Sequence, residues 1–155
     1  MTVDRRTFLR AGMAAGTTAL AVGAGLLSPG RVLAAWPKNA FMATSLDDAL
    51  KAMNLSGAQA SSQVMVDAPD IAENGAVVSV TVKTELPDVQ SITVLVPKNT
   101  MPLISSYEFG PQTEGFITSR IKMRETSDVI GVVKAGGKLH MAKKPVKVTL
   151  GGCGG

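Results

Sequence analysis

From residue 62 onward, short runs of branched apolar residues alternate with polar ones, and every few residues a turn signal interrupts them. Val78, Val80 and Val82 alternate with Ser79, Thr81 and Lys83; Ile92, Val94 and Val96 alternate with Ser91, Thr93 and Leu95. A period of two places successive side chains on opposite faces of a strand, and a helix cannot bury such a pattern. Further runs span 63–66, 103–109, 115–123, 128–134 and 145–150. Between the runs lie Asn74-Gly75, Leu86-Pro87-Asp88, Pro97-Lys98-Asn99, Gly110-Pro111 and Gly136-Gly137, residues that favour reversals. About seven strands at this spacing predict an all-β, immunoglobulin-like antiparallel β-sandwich. The connections are too short for the crossover helices of a parallel sheet.

One segment breaks the pattern. Leu46, Ala49, Leu50 and Met53 recur at helical spacing after Ser45, and Asp48 stands three residues past that serine, as in a capping box. The spacing predicts a short N-terminal helix docked on the protein's own sheet, with Gly57 just past its end. The final strand is expected to start at Pro145, which suits a first or edge position. Val146, Val148 and Leu150 then share one face.

Residues 1–34 read as an export signal rather than as folded structure. Arg5-Arg6 precede Phe8-Leu9, a mildly apolar stretch rich in Ala and Gly runs from 11 to 30, and Val32-Leu33-Ala34 ends in the small-residue pattern of a cleavage site. The arginine pair resembles the twin-arginine signal that carries folded proteins into the periplasm. Four glycines within the stretch (Gly12, Gly16, Gly23, Gly25) argue against a stable membrane anchor. The expected organisation is a cleaved signal over 1–34, a β-sandwich domain over 35–150 and an arm over 151–155. The signal also holds much of the charge: four of the 16 basic residues and one of the 12 acidic ones, leaving 12 against 11 in the remainder. A net of +1 without a basic stripe excludes a nucleic-acid surface.

After Leu150 the chain reads Gly151-Gly152-Cys153-Gly154-Gly155, and Cys153 is the single cysteine. At ordinary glycine usage, four glycines flanking one given cysteine would arise by chance on the order of once in 10⁵. Glycine is the most permissive residue and the narrowest, so the expectation is a thin, flexible arm. Extended, five residues reach roughly 17 Å and carry the Cys153 backbone about 10 Å beyond the last strand residue. Such an arm can enter a narrow channel and leave with a group attached to its thiol.

The same thiol makes a poor catalyst. An activated cysteine needs a histidine, a helix N-terminus or a nearby cation, and the glycines supply none. The terminal carboxylate two residues on disfavours the thiolate. A mobile arm also does not hold a nucleophile with the precision that catalysis needs. The only histidine, His140, falls in an expected strand or turn as a bystander. One cysteine and one histidine do not make a zinc or copper site, and the ending does not match a prenylation signal. We therefore expect no catalytic residue, no metal and no cofactor. Two other readings compete with the carrier: a ubiquitin-like carrier bearing a thiocarboxylate on its final Gly-Gly, and a binding module locked by an intermolecular disulfide. The first needs ATP and a β-grasp fold; the second predicts stable covalent dimers.

Several segments together resemble the SoxY family, the sulfur-carrier subunits of the bacterial Sox thiosulfate-oxidising system. They are the twin-arginine signal, Asp70-Ile71-Ala72-Glu73-Asn74-Gly75 before a valine-rich strand, Phe109-Gly110-Pro111, Ser119-Arg120-Ile121, Thr126-Ser127-Asp128-Val129-Ile130, and Val146-Lys147-Val148-Thr149-Leu150 leading into the glycine arm. Ser127, where the family pattern has glutamine, is a minor departure. The resemblance implies a periplasmic carrier that forms a heterodimer with SoxZ, a second immunoglobulin-like protein exported in complex with it. It implies that the SoxXA cytochrome joins thiosulfate to Cys153, that the SoxB hydrolase releases sulfate from the adduct, and that the sulfane dehydrogenase SoxCD, where present, oxidises the remaining sulfur. Residues Gly151, Gly152, Gly154 and Gly155 would be the arm, and Arg5 and Arg6 the export signal.

Overall fold

A computed structural model of the chain describes residues 37–150. Two short helices come first, α1 (Lys38–Phe41) and α2 (Leu46–Ala52). Nine strands follow: β1 (Gln59–Ala60), β2 (Val64–Asp67), β3 (Ile71–Ala72), β4 (Val78–Thr84), β5 (Val89–Leu95), β6 (Leu103–Glu108), β7 (Phe116–Ile121), β8 (Ser127–Ala135) and β9 (Lys138–Val148). They form two sheets, one ordered β1-β9-β8-β5-β6 with β3 also on β9, the other β2-β4-β7. The expected immunoglobulin-like sandwich is the architecture found.

Alternation places the core. Val78, Val80 and Val82 of β4 face Ile92 and Val94 of β5, Val129 and Val133 of β8 and Val146 of β9, all essentially inaccessible to solvent. Each such side chain removed from water contributes about 1.5–3 kcal/mol before the cost of ordering it. At Gly131 the facing sheet crowds close. A Cβ there would lie 2.9 Å from side-chain methyls of both Val66 and Val82. Only glycine fits between them without displacement.

The other face of the larger sheet is covered too. Leu95, Leu103, Ile130 and Val132 pack under Ala40, Ala49 and Leu55, with Leu46, Leu50 and Met53 beside them. This is the helix docked on its own sheet, and it explains why β5 and β8 are buried on both faces. Ser45 caps α2 as its spacing predicts: the Asp48 N–H donates to Ser45 Oγ at 3.1 Å. The stop is not Gly57 but Asn54, which takes a left-handed φ of 55°. The Leu55 N–H then reaches the Leu50 carbonyl (2.8 Å) and the Asn54 N–H the Lys51 carbonyl (3.0 Å), the bond pattern of a Schellman cap.

The last strand also departs from expectation. β9 begins at Lys138, straight after the turn at Gly136 (φ 53°) and Gly137 (φ 74°), so Pro145 lies inside it rather than at its start. The register explains why proline is tolerated there. Met141 and Lys147 direct their backbone groups to the outer edge, toward Ser61 and Asp70, so Pro145, of the same parity, would have pointed its absent N–H to that edge. That edge is held by β1 at His140–Met141 and β3 at Lys147–Val148, with Pro145 in the gap. Both pairings are parallel. They form without a crossover helix because most of the domain separates each short strand from β9 in sequence.

Candidate functional site

Cys153, Gly151, Gly152, Gly154 and Gly155 lie outside the described residues, as do Arg5 and Arg6. What the structure describes is the platform from which the arm departs. β9 runs antiparallel to β8 up to the pair Ser127↔Val146. Beyond that point β8 offers no further backbone, and a different grip takes over.

Thr126 replaces the missing ladder. Its Oγ1 accepts from the Val148 N–H at 2.9 Å and donates to the Val148 carbonyl at 3.4 Å. On the opposite edge the Thr149 N–H donates to the Ala72 carbonyl (3.0 Å), and Thr149 Oγ1 donates to the Glu73 carbonyl (2.9 Å). The Gly75 N–H then donates to the Leu150 carbonyl at 2.7 Å. Residues 72–75 thus form a strap along the root of the arm. The strap is itself anchored: the Gly75 carbonyl accepts from the N–H of fully buried Met123 (2.7 Å), and Asn74 Oδ1 accepts from the Ala76 N–H (2.8 Å).

Charge reinforces the strap at its start. The Lys144 ammonium donates to the Asp70 carboxylate, and this hydrogen bond, with the charge behind it, holds that carboxyl below its ordinary value. A groove of about 530 Å³ opens beside the root, lined among others by Asp70, Lys98, Asp128, Pro145 and Lys147. Asp70 pairs with Lys144 and Asp128 with Lys143 (3.6 Å), so among the described residues Lys98 and Lys147 are the groove's uncompensated charges. Ser127 is buried nearby; its Oγ accepts from the Lys98 N–H (3.4 Å) and donates to the Asp128 carbonyl (3.2 Å). The departure from the family pattern at this position therefore has polar partners of its own.

The sequence pointed to the thiol and missed the clamp. Thr149 read as the polar face of a strand, and Thr126 belonged to a motif without an assigned role. Neither could have been found locally, because Thr126 bonds across 22 residues and Thr149 across 76. His140 lies in β9 opposite Val133, ten residues before Leu150, roughly 30 Å of strand away. Among the described residues no group of three or more His, Cys, Asp or Glu could hold a metal ion, and no helix is long and apolar enough to cross a membrane.

The described residues form a two-layer β-sandwich whose last strand is clamped at residues 148–150. The family model described as "Sulfur oxidation protein SoxY" matches residues 51–153, which takes in the body from the end of α2 onward and reaches the cysteine. The structure is similar to that of the sulfur carrier protein SoxY from Chlorobium limicola f thiosulfatophilum, at 40% identity and a TM-score of 0.62, over 68% of this chain and 97% of that one. The chain belongs to the SoxY family of sulfur oxidation proteins. A superoxide reductase (neelaredoxin) from Ignicoccus hospitalis shares the fold alone, at 17% identity and a TM-score of 0.50, over 56% of this chain and 79% of that one. No curated protein matches.

Proposed function

We propose that this protein is a periplasmic covalent carrier in thiosulfate oxidation, not an enzyme, and that its sulfur intermediates ride on the Cys153 thiol. The observation that carries the reading is the clamp. The described domain invests five hydrogen bonds in holding residues 148–150 at one pole, and the next five residues are four glycines around the single cysteine. A rigid root followed by glycine suits a group that is displayed and swung. It does not suit one held still for catalysis.

In this reading residues 1–34 with Arg5 and Arg6 export the folded chain, residues 35–150 are the carrier body and residues 151–155 the arm. SoxZ is the heterodimer partner. In loading, the Cys153 thiolate and the sulfane sulfur of thiosulfate form a disulfide bond while two electrons pass to the SoxXA cytochrome. The product keeps a sulfonate at its outer end. Water attacks that sulfonate at the SoxB hydrolase, sulfate leaves with release of two protons, and a persulfide stays on Cys153. SoxCD, where present, oxidises it further. The chain itself supplies no metal or cofactor to these steps; the reactivity belongs to the partners' sites.

The test is an intact-mass measurement after incubation with thiosulfate and the cytochrome. We expect a gain of one thiosulfate unit on Cys153, absent in Cys153→Ser, with unchanged circular dichroism. Equal loading of Cys153→Ser would overturn the assignment, and an adduct on the Gly155 carboxylate would favour a thiocarboxylate carrier instead.

A further inference from the structure

The backbone ladder between β8 and β9 ends at Val146, yet the chain stays gripped for four more residues. Three backbone bonds to residues 70–75 share the grip with two threonine hydroxyls. Thr126 Oγ1 brackets both backbone groups of Val148, and Thr149 Oγ1 ties to the Glu73 carbonyl. Both residues are exposed, as Lys147 and Leu150 are, and Val148 is the one half-buried side chain here that packs against the main core. An exposed hydrogen bond contributes little to global stability, and strand ends with few apolar contacts open locally. Without the two hydroxyls, only the backbone bonds to residues 72–75 and the packing of Val148 would hold residues 148–150.

We propose that Thr126 and Thr149 are positioning residues of the carrier: they fix Val148–Leu150 and so set the point from which the chain leads on to Cys153. This rests on the reading that Cys153 is the attachment point. The thiol stands three residues past Leu150 but six past Lys147, so releasing Val148–Leu150 doubles the free length. The volume searched by a flexible tether grows as the 3/2 power of its length, so the concentration of the thiol at a partner's channel falls about threefold. A short arm on a fixed root is therefore a better presenter than a longer arm on a loose one. The spacing also gives the strap a purpose, because residues 72–75 meet Thr149 and Leu150 and then pass their restraint to Met123.

The experiment uses the full chain with one nitroxide on Cys153 and a second on Lys138→Cys, at the start of β9. In the double variant Thr126→Val/Thr149→Val, the distribution of distances between labels should broaden. The KM for loading by the cytochrome, measured on the unlabelled variant, should rise about threefold with kcat retained. The melting temperature should stay the same. Thr126→Ser/Thr149→Ser, which keeps both hydroxyls, should restore the narrow distribution and the KM. An unchanged distribution in the valine variant overturns the proposal, as does a broadened one with unaltered KM. Should wild-type protein gain no thiosulfate unit on Cys153, the carrier reading fails, and the label distances alone then decide whether the hydroxyls fix the root.

Discussion

Gly131 shows how much one residue can owe to packing. It sits in the middle of β8 between Ile130 and Val132, and nothing local requires glycine there. The need arises across the sandwich, where Val66 and Val82 of the facing sheet leave no room for a Cβ. Gly131→Ala should therefore destabilise the fold by about 1–3 kcal/mol through overpacking, although alanine is the better strand residue by entropy. Urea denaturation checks this; a stabilised variant would mean that the two sheets separate easily. The threonines of the root follow the same logic. Their residue type was visible, but their partners come from segments that only the fold brings together.

At the scale of elements, the helix was the most legible feature. The Ser45 cap, the acidic residue three positions later and the apolar stripe of Leu46, Ala49 and Leu50 all appear as the spacing requires. Because α2 is only seven residues long, its stability comes from docking and capping rather than from propensity. Ser45→Ala should cost about 1 kcal/mol and raise amide exchange in α2 selectively, leaving β4 and β5 protected. Uniform exchange across the domain would show instead that helix and sheet open as one unit. The strands were legible where one face is polar, as in β4. β9 was not, because Pro145 read as a boundary. A proline is harmless inside a strand when its missing N–H faces an unpaired stretch of edge, and only the placement of β1 and β3 reveals that stretch.

At the scale of the whole molecule, the proposed carrier would divide the work between body and arm. The body buries its valines between two sheets, its leucines beneath a helix, and keeps its last strand pinned at one pole. Replacing Gly152 and Gly154 with leucine should leave the denaturation midpoint unchanged, since glycines contribute no side chain to a core. On the proposed carrier reading, turnover with the hydrolase should fall at least about tenfold, because a substituted arm would not thread a narrow channel and displacing the reacting group by even about 1 Å is costly. Unimpaired turnover of that variant would remove the requirement for a thin arm.

By itself, the sequence determined the two-layer β architecture and the docked helix, and it alone carries the proposal of Cys153, because each is written in short-range pattern: alternation, capping chemistry and glycines around a single thiol. Only the tertiary structure decided how the chain is held where the arm begins. The strap at 72–75, the bonds from Thr126 and Thr149 and the edge pairing that tolerates Pro145 join residues far apart along the chain. Such contacts leave no periodic mark, because their energy depends on which strands become neighbours rather than on which residues adjoin.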